Sequence, residues 1–229
     1  MTTAPDIAAR LEAVRERIAR ACDRAHRPSS AVCLVLASKQ QAPEAIEAAY
    51  VAGARDFGEN YVQEAIAKRA TLRDLEGARW HMIGHLQSNK ARVAVENFGI
   101  VHTLDTVRLA YAIARARPTP PMPVLIEVNL GGEATKSGVA PAAVAGLIDS
   151  VRAQVEVRGL MTIPPATHDS AAARRWFGQL RELRDRLATT SALALSELSM
   201  GMSEDYELAI EEGATIVRVG RAVFGERSK

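Results

Sequence analysis

Lys39 directly follows the apolar run AVCLVLAS at residues 31–38. An amine at the end of a buried segment can be desolvated, lose its proton near neutral pH and condense with an aldehyde. On position alone a solvated loop lysine is the plain alternative, because lysine side chains are mostly exposed. A second chemistry is written in SMGMSED, residues 199–205, where Ser199 and Ser203 flank Gly201 ahead of a helical pattern. Two hydroxyls, a glycine that lets backbone approach closely and the N–H groups of a helix start suit a phosphate. An ordinary N-cap by Ser203, with Glu204 and Asp205 complementing the helix dipole, would need neither Ser199 nor Gly201. The third group is Arg218 in TIVRVGRAVFG, where Val217 and Val219 alternate with it. Period-2 geometry turns Arg218 to the opposite face from both valines, and a buried guanidinium must find acceptors. A ligand and an internal salt bridge, for example to Glu127, both satisfy that requirement.

These groups need elements to position them. Short β-branched runs alternate with longer stretches of helical spacing, which predicts strands at 32–38, 54–59, 79–84, 100–105, 124–130, 155–162, 195–200 and 216–219. Helices are expected to start near Pro43, Tyr61, Gln87, Thr106, Pro141, Ser170 and Ser203, with no closing helix after the last strand unless the N-terminal one takes its place. Eight parallel strands, each feeding a helix, make a (β/α)8 TIM barrel. A doubly wound sheet is disfavoured because the first strand lacks GxGxxG. A barrel carries its site at the C-terminal strand ends, and its last two loops often hold a phosphate. This frame places Lys39, Ser199, Ser203 and Arg218 at one mouth, with N–H groups of Gly220 and Arg221 beside them. Other strand ends carry Glu59 and Asn60, His85, Asp105, Glu127 and Asn129, and Met161 and Thr162. His85 reads as a rim contact before a general base. The stretch EVNLGGEATKSG at 127–138 reads as a loop over the mouth, with Lys136 a loop cation.

The 229 residues are 48% hydrophobic, enough for one substantial core, and no linker or low-complexity tract divides them. With 29 basic against 27 acidic side chains there is no field to attract nucleic acid or an anionic membrane. Only five lysines are present, Lys39, Lys68, Lys90, Lys136 and Lys229. Cys22 and Cys33 have neither disulfide nor metal-site spacing, which fits a reducing cytosol. The start of the chain, DIAARLEAVRERIARACDRAHR at 6–27, is amphipathic and charged, with no targeting segment, so a cytoplasmic location is expected.

Together RDFGENYVQEA (55–65), WHMIGHLQSNK (80–90), EVNLGGEATKSG, RGLMTI (158–163), LSMGMSEDYELAI (198–210) and VRVGRAVFG (217–225) resemble the pyridoxal-phosphate homeostasis protein family, in order along nearly the whole chain. The resemblance implies one domain over residues 1–229, a barrel of fold type III like the N-terminal domain of alanine racemases, with residues 1–30 as an N-terminal helix on it. It implies that Lys39 forms an aldimine with pyridoxal 5′-phosphate (PLP) and that Ser199, Ser203 and the backbone at Gly220 and Arg221 hold the phosphate. Arg218 would face the pyridine nitrogen, with Asn60, His85 and Met161 around the ring. The implied work is buffering or delivering PLP, with PLP-dependent apoenzymes as candidate recipients and the protein a monomer. No residue is assigned a catalytic role and no metal is expected. Racemisation needs two positioned acid–base groups, and racemases like this barrel take the second from a further β-domain, which is expected to be absent because the chain stops at Lys229. The runner-up is a PLP-dependent amino-acid racemase. A Schiff-base aldolase and a purely structural barrel rank below it. The chain departs from the family after the lysine, where Gln40-Gln41-Ala42-Pro43 stands in place of a proline three residues on.

Overall fold

The computed structural model describes residues 3–72, 75–117 and 119–226; Lys229, with the expectation attached to it, lies outside them. Eight parallel strands close into a barrel in sequence order: β1 (Cys33–Ala37), β2 (Asp56–Glu59), β3 (Arg79–Met82), β4 (Ile100–Leu104), β5 (Pro123–Glu127), β6 (Glu156–Met161), β7 (Glu197–Ser199) and β8 (Ile216–Val219). Closure is made by β1 against β8, with Leu36 opposite Val219. Strand β5 stops three residues short of the expected end, although Val128 still bridges to Val139 beyond it.

Helices α2 (Pro43–Val51), α3 (Val62–Thr71), α4 (Ala91–Asn97), α5 (Val107–Ala116), α6 (Val144–Val151), α7 (Ser170–Ser191) and α8 (Tyr206–Glu211) follow the first seven strands. Their starts follow local chemistry. Pro43 opens α2, the Thr106 hydroxyl accepts from the Leu109 N–H to cap α5, and Asp169 caps α7 through the Ala171 N–H. The closing helix expected to be missing is present as one turn, α9 (Arg221–Phe224). The long α1 (Ala4–Arg24), with its Thr3–Asp6 capping box, precedes the barrel and packs on α2, α8 and α9. Ile7, Leu11, Val14, Ile18, Ala21 and Cys22 form its buried stripe. Each large apolar side chain on that stripe contributes about 1.5–3 kcal/mol. Arg17 and Arg24 add ion pairs to Glu207 and Glu211, which are exposed and contribute little. Among the described residues no helix is long and apolar enough to cross a membrane.

The core has two parts. A large outer layer lies between sheet and helices, and a small inner one fills the barrel with Val35, Leu125, Met161 and Ile216. The rest of the interior is polar, which leaves room for a site built into the barrel itself. Strands crowd closely where β6 meets β7: a Cβ on Gly159 would sit 1.9 Å from the Glu197 carbonyl oxygen. Gly159→Ala is therefore expected to lower the unfolding free energy by about 3 kcal/mol or more in urea titrations. Gly146→Ala, on α6 with nothing within 4 Å of the added carbon, should raise it by up to about 1 kcal/mol.

Candidate active site at the barrel mouth

Lys39 lies one residue past β1 and its neighbour Ser38 at the C-terminal mouth and is half-buried, with Nζ 5.8 Å from the centre of the exposed Tyr61 ring, within cation–π range. What fixes this turn is another lysine. Lys68, on the face of α3 that also buries Val62 and Ala65, donates from Nζ to the Ser38 carbonyl (2.7 Å) and to Glu59 Oε1 (2.8 Å). It also pairs with Glu64 Oε1 at 2.6 Å. The Ser38 hydroxyl donates to Glu59 Oε1 at 2.8 Å, and Glu64 accepts the Gln40 N–H. Three acceptors thus use the three donors of a buried ammonium, and the residues on both sides of Lys39 are tied to one cluster. Gln40 takes φ +60°, the bend at which the chain leaves the family's proline pattern. Burial raises the Glu59 pKa while Lys68 opposes it, and Glu59 Oε2 has no hydrogen-bond partner.

Arg218 points into the barrel, as the alternation of β8 requires, and is 4% exposed. Its Nη1 donates to Ser199 Oγ at 2.6 Å and its Nη2 to the Thr162 carbonyl at 2.9 Å. Glu127 acts on it through charge, not through a direct ion pair. Burial lowers the guanidinium to about 10, with Glu127 and Asp205 holding it up, so it stays charged at neutral pH. Glu127 itself is pushed up to about 7 by burial, then by Asp105, against the pull of Arg218.

The SMGMSED segment divides its tasks. Ser199, the last residue of β7, shares the inward parity of Glu197, and its hydroxyl lies between Arg218 and His102 Nδ1, 2.9 Å away. Ser203 does not cap α8, which starts at Tyr206. Its Oγ accepts instead from the N–H groups of Gly220 and Ala222, both at 3.3 Å. Gly201 takes φ +90°, and an added Cβ would meet Ala209 Cβ at 2.5 Å and Tyr206 Cα at 2.9 Å. Close packing of α8, more than approach to a ligand, demands that glycine. Gly220 sits against the end of β1, where its Cβ would be 3.0 Å from the Ala37 carbonyl, so Ser203 and Lys39 flank adjacent strand ends. The Arg221 side chain turns outward to Glu204 at 2.6 Å.

The remaining expected residues line the same end. Met161 is fully buried in the inner cluster. Asn60 is half-buried at the end of β2, its carbonyl 2.4 Å from where Gly84 would carry a Cβ. His85 is exposed at the rim, with Nδ1 3.2 Å from Ser137 Oγ and 3.7 Å from Asp105 Oδ2. The loop that carries Ser137 is held at its base by Val128 against Val139, and Lys136 pairs with Glu133 at 2.5 Å. Sequence reasoning missed Lys68, His81, His102 and Asp56. Three of them carried a signal: Lys68 occupies the apolar stripe of a helix, and the two histidines stand at inward positions one and two residues before the ends of β3 and β4.

The donor set fits a phosphate-bearing aromatic aldehyde. A half-buried amine, a deep guanidinium and a hydroxyl on which two backbone N–H groups already converge are distributed around one mouth, and the Ser203 oxygen stands where an anionic oxygen would be received. Comparison with known proteins points the same way. The family model for the alanine racemase N-terminal domain matches residues 9–228. The pyridoxal phosphate homeostasis protein of Aquifex aeolicus is 46% identical over 222 residues, covering 95% of this chain and 97% of that protein. The protein of the same name from Pseudomonas aeruginosa is 45% identical over 225 residues, covering 96% of each. Among solved structures, PipY of Synechococcus elongatus with PLP bound is 41% identical with a TM-score of 0.84, covering 96% of this chain and 100% of that one. Alanine racemase from Corynebacterium glutamicum shares the fold at 16% identity and a TM-score of 0.73, with 98% of this chain matching 62% of it. The chain belongs to the alanine racemase N-terminal domain family, among its pyridoxal phosphate homeostasis members.

Proposed function

We propose that this protein holds PLP at the barrel mouth and serves cytosolic PLP homeostasis by storing, buffering or delivering it, without robust turnover. The observation that carries the reading is the convergence of Lys39, Arg218 and the Ser203–Gly220 pair on one mouth, in a chain 41% identical to a protein solved with PLP. Bound there, PLP supplies an aldehyde that captures amines and a ring that accepts electrons. Lys39 is the amine that would hold that aldehyde. Ser203 and the N–H groups of Gly220 and Arg221 would receive the phosphate, while Asn60, His85 and Met161 would border the ring. Arg218 would lie toward the ring, where its charge would disfavour a proton on the ring nitrogen and so weaken the ring as an electron sink. A racemase would also need a second acid–base group opposite the lysine.

The expected result for the wild-type protein is a visible absorption band that disappears on borohydride reduction and is missing from Lys39→Ala. A colourless wild type that stays colourless after incubation with PLP would overturn the reading. Steady racemisation of a common amino acid, abolished by Lys39→Ala, would make the protein an enzyme.

Lys68→Met strands Glu59 without its cation beneath the Lys39 turn. It should cost about 3 kcal/mol or more of stability in urea titration, part of which Glu59→Gln restores in the double variant.

Glu127 makes stability depend on pH. Its folded pKa of about 7 lies above the ordinary 4.5, so the folded chain holds this proton more tightly than the unfolded one. The stability it contributes is full below pH 4.5 and is lost as pH rises through about 7, on the order of 3 kcal/mol in all. Asp56 runs the other way: hydrogen bonds from His81 and Arg79 outweigh burial and lower it from 3.8 to about 2, so its contribution is lost as pH falls through that range. Glu127→Gln is expected to flatten the decline between about pH 5 and 8, read from urea midpoints.

A further inference from the structure

A chain of side-chain hydrogen bonds crosses the barrel interior beneath the mouth. Arg218 Nη1 lies 2.6 Å from Ser199 Oγ, Ser199 Oγ 2.9 Å from His102 Nδ1, His102 Nε2 3.0 Å from His81 Nδ1, and His81 Nε2 3.0 Å from Asp56 Oδ1. Asp56 opens β2 at the N-terminal end of the barrel, where Arg79 grips both its oxygens at 2.7 and 2.6 Å. This end meets a cavity of about 500 Å³ on the barrel floor, lined among others by Cys33, Asp56, Arg79, His81, Arg158 and Glu197.

The donors can be assigned one after another. Arg218 only donates, so Ser199 Oγ accepts from it. The single Ser199 proton then goes to His102 Nδ1, 2.9 Å away, which must be bare. Complete burial lowers the His102 pKa well below that of ordinary histidine, with His81 and Arg218 adding to the effect. His102 is therefore neutral and carries its proton on Nε2, which donates to His81 Nδ1. His81 Nδ1 accepts that bond, and its Nε2 donates to the Asp56 carboxylate. Every donor along the series points from mouth to floor, and Ser199, His102, His81 and Asp56 each have a partner on both sides.

We propose that Asp56, His81, His102 and Ser199 form a one-directional relay through which a carboxylate at the barrel floor positions Arg218 at the mouth. Asp56 fixes the His81 tautomer, His81 fixes that of His102, and His102 takes the Ser199 proton, so that the serine oxygen presents its lone pair to Arg218. The four are positioning residues. Their bearing on PLP rests on the function proposed above, whereas the relay itself belongs to the ligand-free protein.

The test starts with ¹⁵N-histidine and ¹⁵N-arginine spectra of ligand-free protein near pH 7. Both rings are expected as neutral Nε2–H tautomers, with resolved Nη–H signals from Arg218. An Nδ1–H tautomer or a cationic ring at either position would overturn the proposal without any variant. Asp56→Ala should mix the tautomers of His102, which Asp56 does not touch, broaden the Arg218 signals and weaken PLP binding about tenfold. Asp56→Asn should restore the single tautomer, because Oδ1 of the amide still accepts from His81. Ser199→Ala should broaden Arg218 while leaving His81 on Nε2. If Asp56→Ala leaves His102 and Arg218 unchanged, the series is a set of local contacts and the idea fails. Tautomers and Arg218 signals that respond as expected in a protein that binds no PLP would support the relay and remove only the cofactor reading.

Discussion

A guanidinium inside a closed parallel barrel has no water to fall back on, and the rest of this interior is arranged around that fact. Val217 and Val219 belong to the outer core, which commits Arg218 to the inside whatever else the chain does. Its needs are met from one side, by Ser199 on the adjacent β7 and by the Thr162 carbonyl after β6 beyond it, while Glu127 and Asp205 supply negative field from farther away. The two hydrogen bonds occupy two of five donors, so the group is anchored without being used up. An apolar residue would pack here at lower cost. Retaining a charge with spare donors under the mouth makes physical sense if something enters from above to meet it.

The amine across the mouth is held on different terms. Lys39 itself is half-buried and makes only a loose contact with Tyr61, but its flanking residues are locked by Lys68, Glu59 and Glu64. The hydrogen bonds hold the backbone on both sides of Lys39, and among the described residues its side chain makes only the contact with Tyr61. This division would suit the role proposed for Lys39, since the backbone around it is tied down and its amine is not. Lys68 also accounts for a buried strand-end carboxylate that would otherwise carry an uncompensated charge.

Much of this was legible from the residues alone, for reasons that differ by element. Strand β8 falls on residues 216–219 as expected because its alternation is uninterrupted and Gly220 ends it. The end of β5 was overrun because Val128 to Leu130 continue the same alternation, and only the neighbour's position decides where pairing stops. Gly201 was read as room for a ligand when it is room for α8, since a sequence registers the need for a glycine and not what approaches it. Period-2 reasoning gives the face of a side chain but not its partner across a barrel, which depends on the stagger of the strands. Ser199, His102 and His81 are therefore individually visible as inward polar residues, while their order as neighbours is not.

The distribution of exposure bears on what the site is for. Its deep end is dry and fixed, with Arg218, Ser199 and His102 all at 4% exposure or less. Its rim is open: Tyr61 is 56% exposed, Met202 40%, and His85 is also exposed. Catalysis on an amino acid draws its rate from groups placed in a water-excluded site around the reacting carbon, and the open part here is the part that carries Lys39. A link made by an amine at an open rim is reversible by water or by another amine. A ring held from below by Arg218, with its phosphate at the half-buried Ser203, would keep the molecule in register while that exchange takes place. Tight anchorage below and access above suit retention followed by release better than they suit turnover.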